Sequence, residues 1–180
     1  MGKVILIHGP SGSGKSTQCI RLAEKLDAEH ISTGELLRRH TQTAQHIADG
    51  TLADSNDILR LVGEAIDTVP TGKAIVFDGV ARMPEEAKWL QNKLTELGRR
   101  MDLVIELDIP EKETMKRLLN RQSSRPDDDE AGIRKRLGWY HEMVGASLRF
   151  WETQTLVATV NGVGSPDEVA ERIEELVDAA

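Results

Sequence analysis

Gly9-Pro10-Ser11-Gly12-Ser13-Gly14-Lys15-Ser16-Thr17 fits the pattern G-x-x-x-x-G-K-S without a mismatch. Val4-Ile5-Leu6-Ile7 precedes it as a short apolar run of the kind that forms a buried parallel strand, and Cys19 to Leu26 follows with apolar residues at helical spacing. The motif therefore lies between a strand and a helix, where its chemistry needs it. Glycines let backbone N–H groups turn inward as a nest for a phosphate. The helix N-terminus adds unpaired N–H groups and a favourable dipole. Lys15 reaches the terminal phosphates of a nucleotide, and the Ser16 hydroxyl takes a Mg2+ position.

Working outward, strands and helices alternate. Glu29-His30-Ile31 is a short strand, Ser32-Thr33 a cap, and Gly34 to Arg39 the start of a helix; His40 to Asp49 is polar with few anchors, and Gly50 breaks it. Ile58, Leu59, Leu61, Val62 and Ile66 form the stripe of a further helix, and Ala74-Ile75-Val76-Phe77 a strand ending on Asp78-Gly79. Residues 84 to 98 read as a helix, Leu103 to Leu107 as a strand, and Pro110 opens a helix carrying Met115, Leu118 and Leu119. A long helix is expected from about Glu130 to Phe150, a fifth strand over Val157 to Val160, and a last helix capped by Ser165-Pro166-Asp167-Glu168. This order predicts an α/β chain of the P-loop NTPase fold, a five-stranded parallel sheet with helices on both faces. Ligands in such sheets bind beyond the carboxyl ends of the strands, where both the glycine-rich loop and Asp78 fall.

The 180 residues suit one domain with a real core. Cys19 is the single cysteine, so no internal disulfide forms, and its place one turn into the first helix suits a buried thiol. No run approaches the roughly 18 apolar residues of a membrane span. Met1-Gly2-Lys3 enters the first strand at once, leaving no room for a signal peptide, so a cytoplasmic location is expected. A net charge of −7 argues against a general nucleic-acid binder. Yet Arg117, Arg121, Arg125, Arg134, Lys135 and Arg136 cluster, which suits a small and highly anionic ligand.

Asp78, directly after four apolar strand residues, is placed to hold Mg2+ directly or through water. Arg82, Arg121, Arg125 and Arg136 suit phosphoryl transfer, which asks mainly for positioning and electrostatics and favours guanidinium forks. Asp127, Asp128 and Asp129 diverge along the backbone and read as capping and pairing groups rather than a metal cage. His8, His30, His40, His46 and His141 show no ligand spacing, so no zinc is assigned.

Four motifs in order resemble the adenylate kinase family of nucleoside monophosphate kinases, across nearly the whole chain. They are Gly9 to Thr17, Ser32-Thr33-Gly34-Glu35-Leu36-Leu37-Arg38, Phe77-Asp78-Gly79-Val80-Ala81-Arg82, which is similar to the family's D-G-F-P-R, and Arg125-Pro126-Asp127-Asp128 with the distant Arg136. The resemblance implies that ATP is the donor, with Mg2+ at Ser16 and Asp78, and that Gly9, Ser11, Gly12, Ser13, Gly14, Lys15, Ser16 and Thr17 cradle its phosphates. Arg121 would stack on the donor adenine, and the turn at Gly164 would lie near the donor base. Thr33, Gly34, Arg38, Leu52, Ala53, Gly79, Arg82 and Glu86 would bind the acceptor nucleotide. Lys15, Arg82, Arg125 and Arg136 would serve catalysis, the last two clamping the transferring phosphates. Residues 32–68 would form the acceptor-binding excursion and about 121–130 a minimal lid, within one domain of residues 1–180.

The resemblance implies transfer of the ATP γ-phosphate to a nucleoside monophosphate, with AMP the expected acceptor, in a monomer that binds neither nucleic acid nor membrane. The departures fall on the acceptor pocket. Glu86 stands where the family usually has glutamine, Val80-Ala81 replaces Phe-Pro, and the segment from Arg38 to Gly50 is shorter than usual. A carboxylate accepts from adenine N6 but faces the N1 lone pair, and it would suit the N–H groups of guanine better. Between Arg121 and Arg125 lie only Gln122, Ser123 and Ser124, too few for a large lid. A kinase of GMP, CMP, UMP, a deoxynucleotide or another small metabolite remains open, as does a nucleotide-binding regulatory module without transfer activity.

Overall fold

The computed structural model describes residues 2–40, 55–120 and 130–180, apart from the side chain of Arg136. Five strands form one sheet: β1 (Val4–His8), β2 (Glu29–Ser32), β3 (Ile75–Asp78), β4 (Leu103–Asp108) and β5 (Leu156–Asn161). Their order is β2-β3-β1-β4-β5 and every pairing is parallel, as the alternating pattern requires. The helices are α1 (Lys15–Leu26), α2 (Thr33–Arg39), α3 (Ser55–Asp67), α4 (Pro84–Glu96), α5 (Glu111–Leu119), α6 (Glu130–Glu152) and α7 (Pro166–Ala179).

Successive strand residues point to opposite faces, and both faces are covered. Val4 and Leu6 of β1, Ile75 and Phe77 of β3, and Val104 of β4 pack with Val62, Leu90, Leu94, Val144 and Trp151 from α3, α4 and α6. Ile5, Ile7, Val76, Leu103 and Ile105 pack on the other side with Cys19, Leu22, Val169 and Ile173 from α1 and α7. This double burial is why the three inner strands read as unbroken apolar runs. It also fixes where polar residues at strand ends must look. Asp78 continues the Val76 face toward α1, and His8 continues the Leu6 face toward α4 and α6.

The elements match the sequence reading with small shifts at their ends. β2 runs one residue further, to Ser32, and β5 begins at Leu156. Leu119, expected on the apolar side of its helix, is 56% exposed at the C-terminus of α5. Ser165 and Glu168 form the expected reciprocal cap of α7, at 3.3 and 2.7 Å. Ser32 behaves differently: its hydroxyl makes no cap to α2 and donates instead to Asp78 Oδ2 at 3.2 Å. Among the described residues no helix is long and apolar enough to cross a membrane.

Candidate active site

The glycine-rich loop leaves β1 and enters α1 as the sequence predicts. Gly12 (φ 82°) and Gly14 (φ 89°) take the left-handed backbone that L side chains rarely adopt. Gly9 is required for another reason. A Cβ there would stand 2.6 Å from Ser13 Oγ and 3.2 Å from Leu107 Cβ, so a side chain would push the loop off the sheet. Gly14 caps α1 without a side chain, and a Cβ at this position would meet nothing within 4 Å. The start of α1 therefore faces open space, the setting in which backbone N–H groups receive a phosphate.

Beside it, at the end of β3, Gly79 gathers groups from three elements. Its N–H donates to Ile7 O of β1 at 3.1 Å. Its carbonyl accepts from Arg82 Nε at 2.9 Å and from Thr33 Oγ1 at 3.5 Å. A Cβ on Gly79 (φ 64°) would be 2.9 Å from Arg82 Nη2 and 3.3 Å from Lys15 Cε. A cation from the glycine-rich loop and one from the segment after β3 thus converge over a single glycine. Only a residue without a Cβ lets them come so close.

Asp78 is buried, with a side chain 3% exposed. Burial works to raise its pKa, but the nearby His30 imidazole, the Ser16 hydroxyl and the Lys15 ammonium outweigh it and hold the carboxyl below its usual range. An ionised carboxylate next to a serine hydroxyl, both hard oxygen donors, fits Mg2+. His30 Nε2 lies 3.8 Å from Asp78 Oδ2, too far for a hydrogen bond.

On the opposite face His8 is fully buried, and neither ring nitrogen makes a hydrogen bond among the described residues. Burial, helped by the charges of Arg82 and Lys15, lowers its pKa to about 3. Tyr140 of α6 donates to Glu106 Oε1 of β4 at 3.3 Å, and burial and that carboxylate push the phenol up.

The residues expected on the acceptor side are described in part. Arg38 is exposed on α2, with its Nη1 3.3 Å from where a Cβ of Gly34 would be. Glu86 is 6% exposed and its carboxylate is occupied by the protein. Oε2 accepts from the backbone N–H groups of Arg82 at 2.9 Å and Met83 at 3.3 Å, and Oε1 accepts from Ser55 Oγ at 2.9 Å. Leu52, Ala53, Arg121 and Arg125 lie outside the described residues, as does most of the expected lid; Arg136 is placed only by its backbone in α6.

Some residues that shape the site were not singled out by sequence. In the sequence Arg117 is one member of a charge cluster. Its Nη1 donates to Ser13 O at 3.4 Å and its Nη2 to Gly162 O at 3.3 Å, while Nε pairs with Glu113 at 2.9 Å. One guanidinium thereby joins the glycine-rich loop to the turn after β5. Arg172 holds that same turn through Asn161 O and Val163 O, each at 2.7 Å, beside Gly164 (φ 129°). Nothing in one-dimensional spacing marks either contact.

The chain is similar to known proteins over nearly its whole length. A model of the adenylate kinase family matches residues 7–156. The chain is 34% identical to an adenylate kinase of Phocaeicola vulgatus over 175 aligned positions, covering 92% of this chain and 93% of that protein. It is 33% identical to one of Thermus thermophilus over 183 positions, covering 96% of each, and 35% identical to one of Porphyromonas gingivalis over 184 positions, covering 97% and 95%.

Proposed function

The chain belongs to the adenylate kinase family and is a phosphotransferase of the nucleoside monophosphate kinase type; from that premise we propose that it transfers the γ-phosphate of ATP to AMP. The observation that carries this reading is the meeting of Lys15 and Arg82 over Gly79. A protein that only binds one nucleotide needs a cation on the loop that cradles it. It has no use for a second one, held by a main-chain carbonyl at 2.9 Å and standing over the same glycine.

In this reading residues Gly9 to Thr17 hold the donor phosphates through backbone N–H groups, and Lys15 follows the transferring group. Ser16 and Asp78 offer the oxygens for Mg2+, which when bound neutralises charge on the β- and γ-phosphates. Arg82 and Arg38 hold the acceptor phosphate. An acceptor oxygen attacks the γ-phosphorus, the bond to the bridging β–γ oxygen breaks, and ADP leaves with that oxygen. Arg125 and Arg136 neutralise the equatorial oxygens and, with the short segment 121–130, exclude water that would otherwise take the phosphoryl group. Arg121 and the turn at Gly164 flank the donor base. Thr33, Gly34, Leu52, Ala53, Gly79 and Glu86 line the acceptor pocket within residues 32–68 and beyond β3.

Glu86 favours a second reading at the level of the base. Its carboxylate accepts only, which suits the adenine N6 amino group but suits the N1 and N2 groups of guanine better. The test is diphosphate formation from ATP and Mg2+ with AMP, GMP, CMP, UMP and dAMP in turn. A kcat/KM highest for AMP supports the proposal. GMP in first place moves the assignment to guanine, and inertness toward all of them overturns nucleotide transfer.

A further inference from the structure

We propose that Cys19, His30 and Asp78 form a binding site for a thiophilic divalent cation of the zinc type, sharing Asp78 with the Mg2+ position, and that filling it inhibits the enzyme. Among the described residues, the Cys19 thiol, a His30 ring nitrogen and an Asp78 carboxylate oxygen lie within 4.8 Å of one another. Sequence spacing hides this cluster, because one residue comes from α1, one from β2 and one from the end of β3. Parallel register assembles it: His30 pairs with Val76 and Ser32 with Asp78, so the side chains of His30 and Asp78 share the sheet face on which α1 lays Cys19.

The donor set lies within about an ångström of the separations such an ion needs. A tetrahedral ion with bonds of about 2.0–2.3 Å spaces its ligands roughly 3.3–3.6 Å apart, so this cluster closes by about an ångström. His30 Nε2 is buried 3.8 Å from Asp78 Oδ2 and makes no hydrogen bond among the described residues, so coordination there displaces none. Cys19 Sγ has only a long contact to Phe77 O at 3.9 Å. Thiolate and imidazole select zinc-type ions over Mg2+. Entry is from the side of His30, whose side chain is 16% exposed and lines a surface depression with Ile20, Ala23, Glu24, Asp27 and Ala28. On binding, the thiol proton leaves to solvent as the sulfur–metal bond forms, and a water completes the fourth position.

The consequence for activity follows from Asp78. Coordination there withdraws the carboxylate from Ser16 and from the Mg2+ position. This inhibitory half rests on the proposed phosphotransfer; the binding half does not.

The experiment uses tag-free full-length protein stripped with a chelator. Titration with Co2+ alone should give, at one equivalent, a thiolate-to-cobalt charge-transfer band and the intense d–d bands of a tetrahedral site. Cys19→Ala, which leaves a small apolar group in an apolar pocket, should lack the charge-transfer band. In the Mg2+-ATP assay, wild type should be inhibited by Zn2+ and recover with chelator. Cys19→Ala should keep its zinc-free rate and need about a hundredfold more Zn2+, since losing a ligand costs at least the roughly 10–100-fold of losing a partner that only orients one. Wild type without the charge-transfer band overturns the site, and so does equal zinc sensitivity of the two proteins. Protein without turnover in the absence of zinc overturns the phosphotransfer reading and the inhibitory half, and the cobalt spectrum then decides the binding half.

Discussion

The Glu86 carboxylate accepts the Ser55 hydroxyl at 2.9 Å, and so ties the first residue of α3 to the first turn of α4. Its other oxygen closes the N-terminus of α4 through the N–H groups of Arg82 and Met83. Glu86 therefore works as a helix cap as well as a candidate reader of the acceptor base. Removing it in Glu86→Ala leaves two N–H groups and one hydroxyl without their acceptor, at a cost of about 1–2 kcal/mol. Urea denaturation measures this. Glu86→Gln keeps the oxygen for the two N–H groups and lets its amide donate to Ser55, so stability changes by less than about 1 kcal/mol. The same variant offers both a donor and an acceptor to adenine. It should raise the AMP-to-GMP ratio of kcat/KM roughly tenfold, the worth of one hydrogen bond. An unchanged ratio would show that Glu86 serves the helix alone.

Lys15 and Arg82 converge on Gly79 from separate loops, and their losses should differ in kind. Lys15→Ala should lower kcat about 10²–10³-fold with little change in KM for the acceptor, because its charge matters most as the phosphoryl group moves. Arg82→Ala should raise the acceptor KM as well as lower kcat, since in its proposed role it would grip the acceptor in the ground state too. Steady-state kinetics with each substrate varied separates the two patterns. Circular dichroism checks that both variants fold.

His8 gives a pH dependence whose sign is fixed by burial. Its folded pKa of about 3 lies below the ordinary 6.5. Between these values the unfolded chain binds a proton that the folded chain refuses, so stability falls as pH drops through this window. From pH 7 to pH 5 this group alone removes about 2 kcal/mol, at roughly 1.4 kcal/mol per pH unit below 6.5. His8→Leu removes that share and also two orphaned ring nitrogens, so it should be more stable at pH 7 and flatter toward pH 5. Urea midpoints of both proteins at the two pH values test it.

How much of this was legible in sequence depends on where the information lies along the chain. β1, β3 and β4 are buried on both faces, so their apolar runs announce them. The glycine-rich loop and Asp78-Gly79 are local motifs whose chemistry needs neighbours in sequence. The Ser32 hydroxyl turned away from its expected cap because β2 lies beside β3, and Asp78 offers a charged acceptor that a helix end cannot match. Arg117, the partners of Glu86 and the cluster of Cys19, His30 and Asp78 depend on register between distant segments. That register is set by the packed sheet and leaves no mark in local spacing.

Arg117 should act on donor binding without touching chemistry. Its guanidinium spans Ser13 O and Gly162 O, so Arg117→Ala frees the glycine-rich loop from the turn proposed to flank the donor base. KM for ATP should rise several-fold while kcat stays within about twofold, the signature of lost ground-state binding. A lysine ammonium lacks the rigid fork that reaches both carbonyls and Glu113 from three nitrogens, so Arg117→Lys should recover little. A fall in kcat equal to the fall in kcat/KM would place Arg117 in the chemical step instead.

Ala81 stands in place of the proline of the family's D-G-F-P-R, and it takes φ 57°. Proline is confined near −65°, so the family residue cannot occupy this backbone without rebuilding the loop. The loop is held where it is by Ser147 Oγ, which donates to Ala81 O at 2.6 Å from α6, and by full burial of Val80 and Ala81. An L residue in the left-handed region stores about 1–2 kcal/mol, which glycine would not. Ala81→Gly should therefore gain about 1 kcal/mol in urea denaturation, less the entropy glycine returns to the unfolded chain. Ala81→Pro should lose about 3 kcal/mol or more and displace Arg82, whose backbone N–H and guanidinium both depend on the turn. Its acceptor KM should rise in step with the loss of stability. A stable, fully active Ala81→Pro would mean that the segment after Gly79 readily adopts the family's conformation.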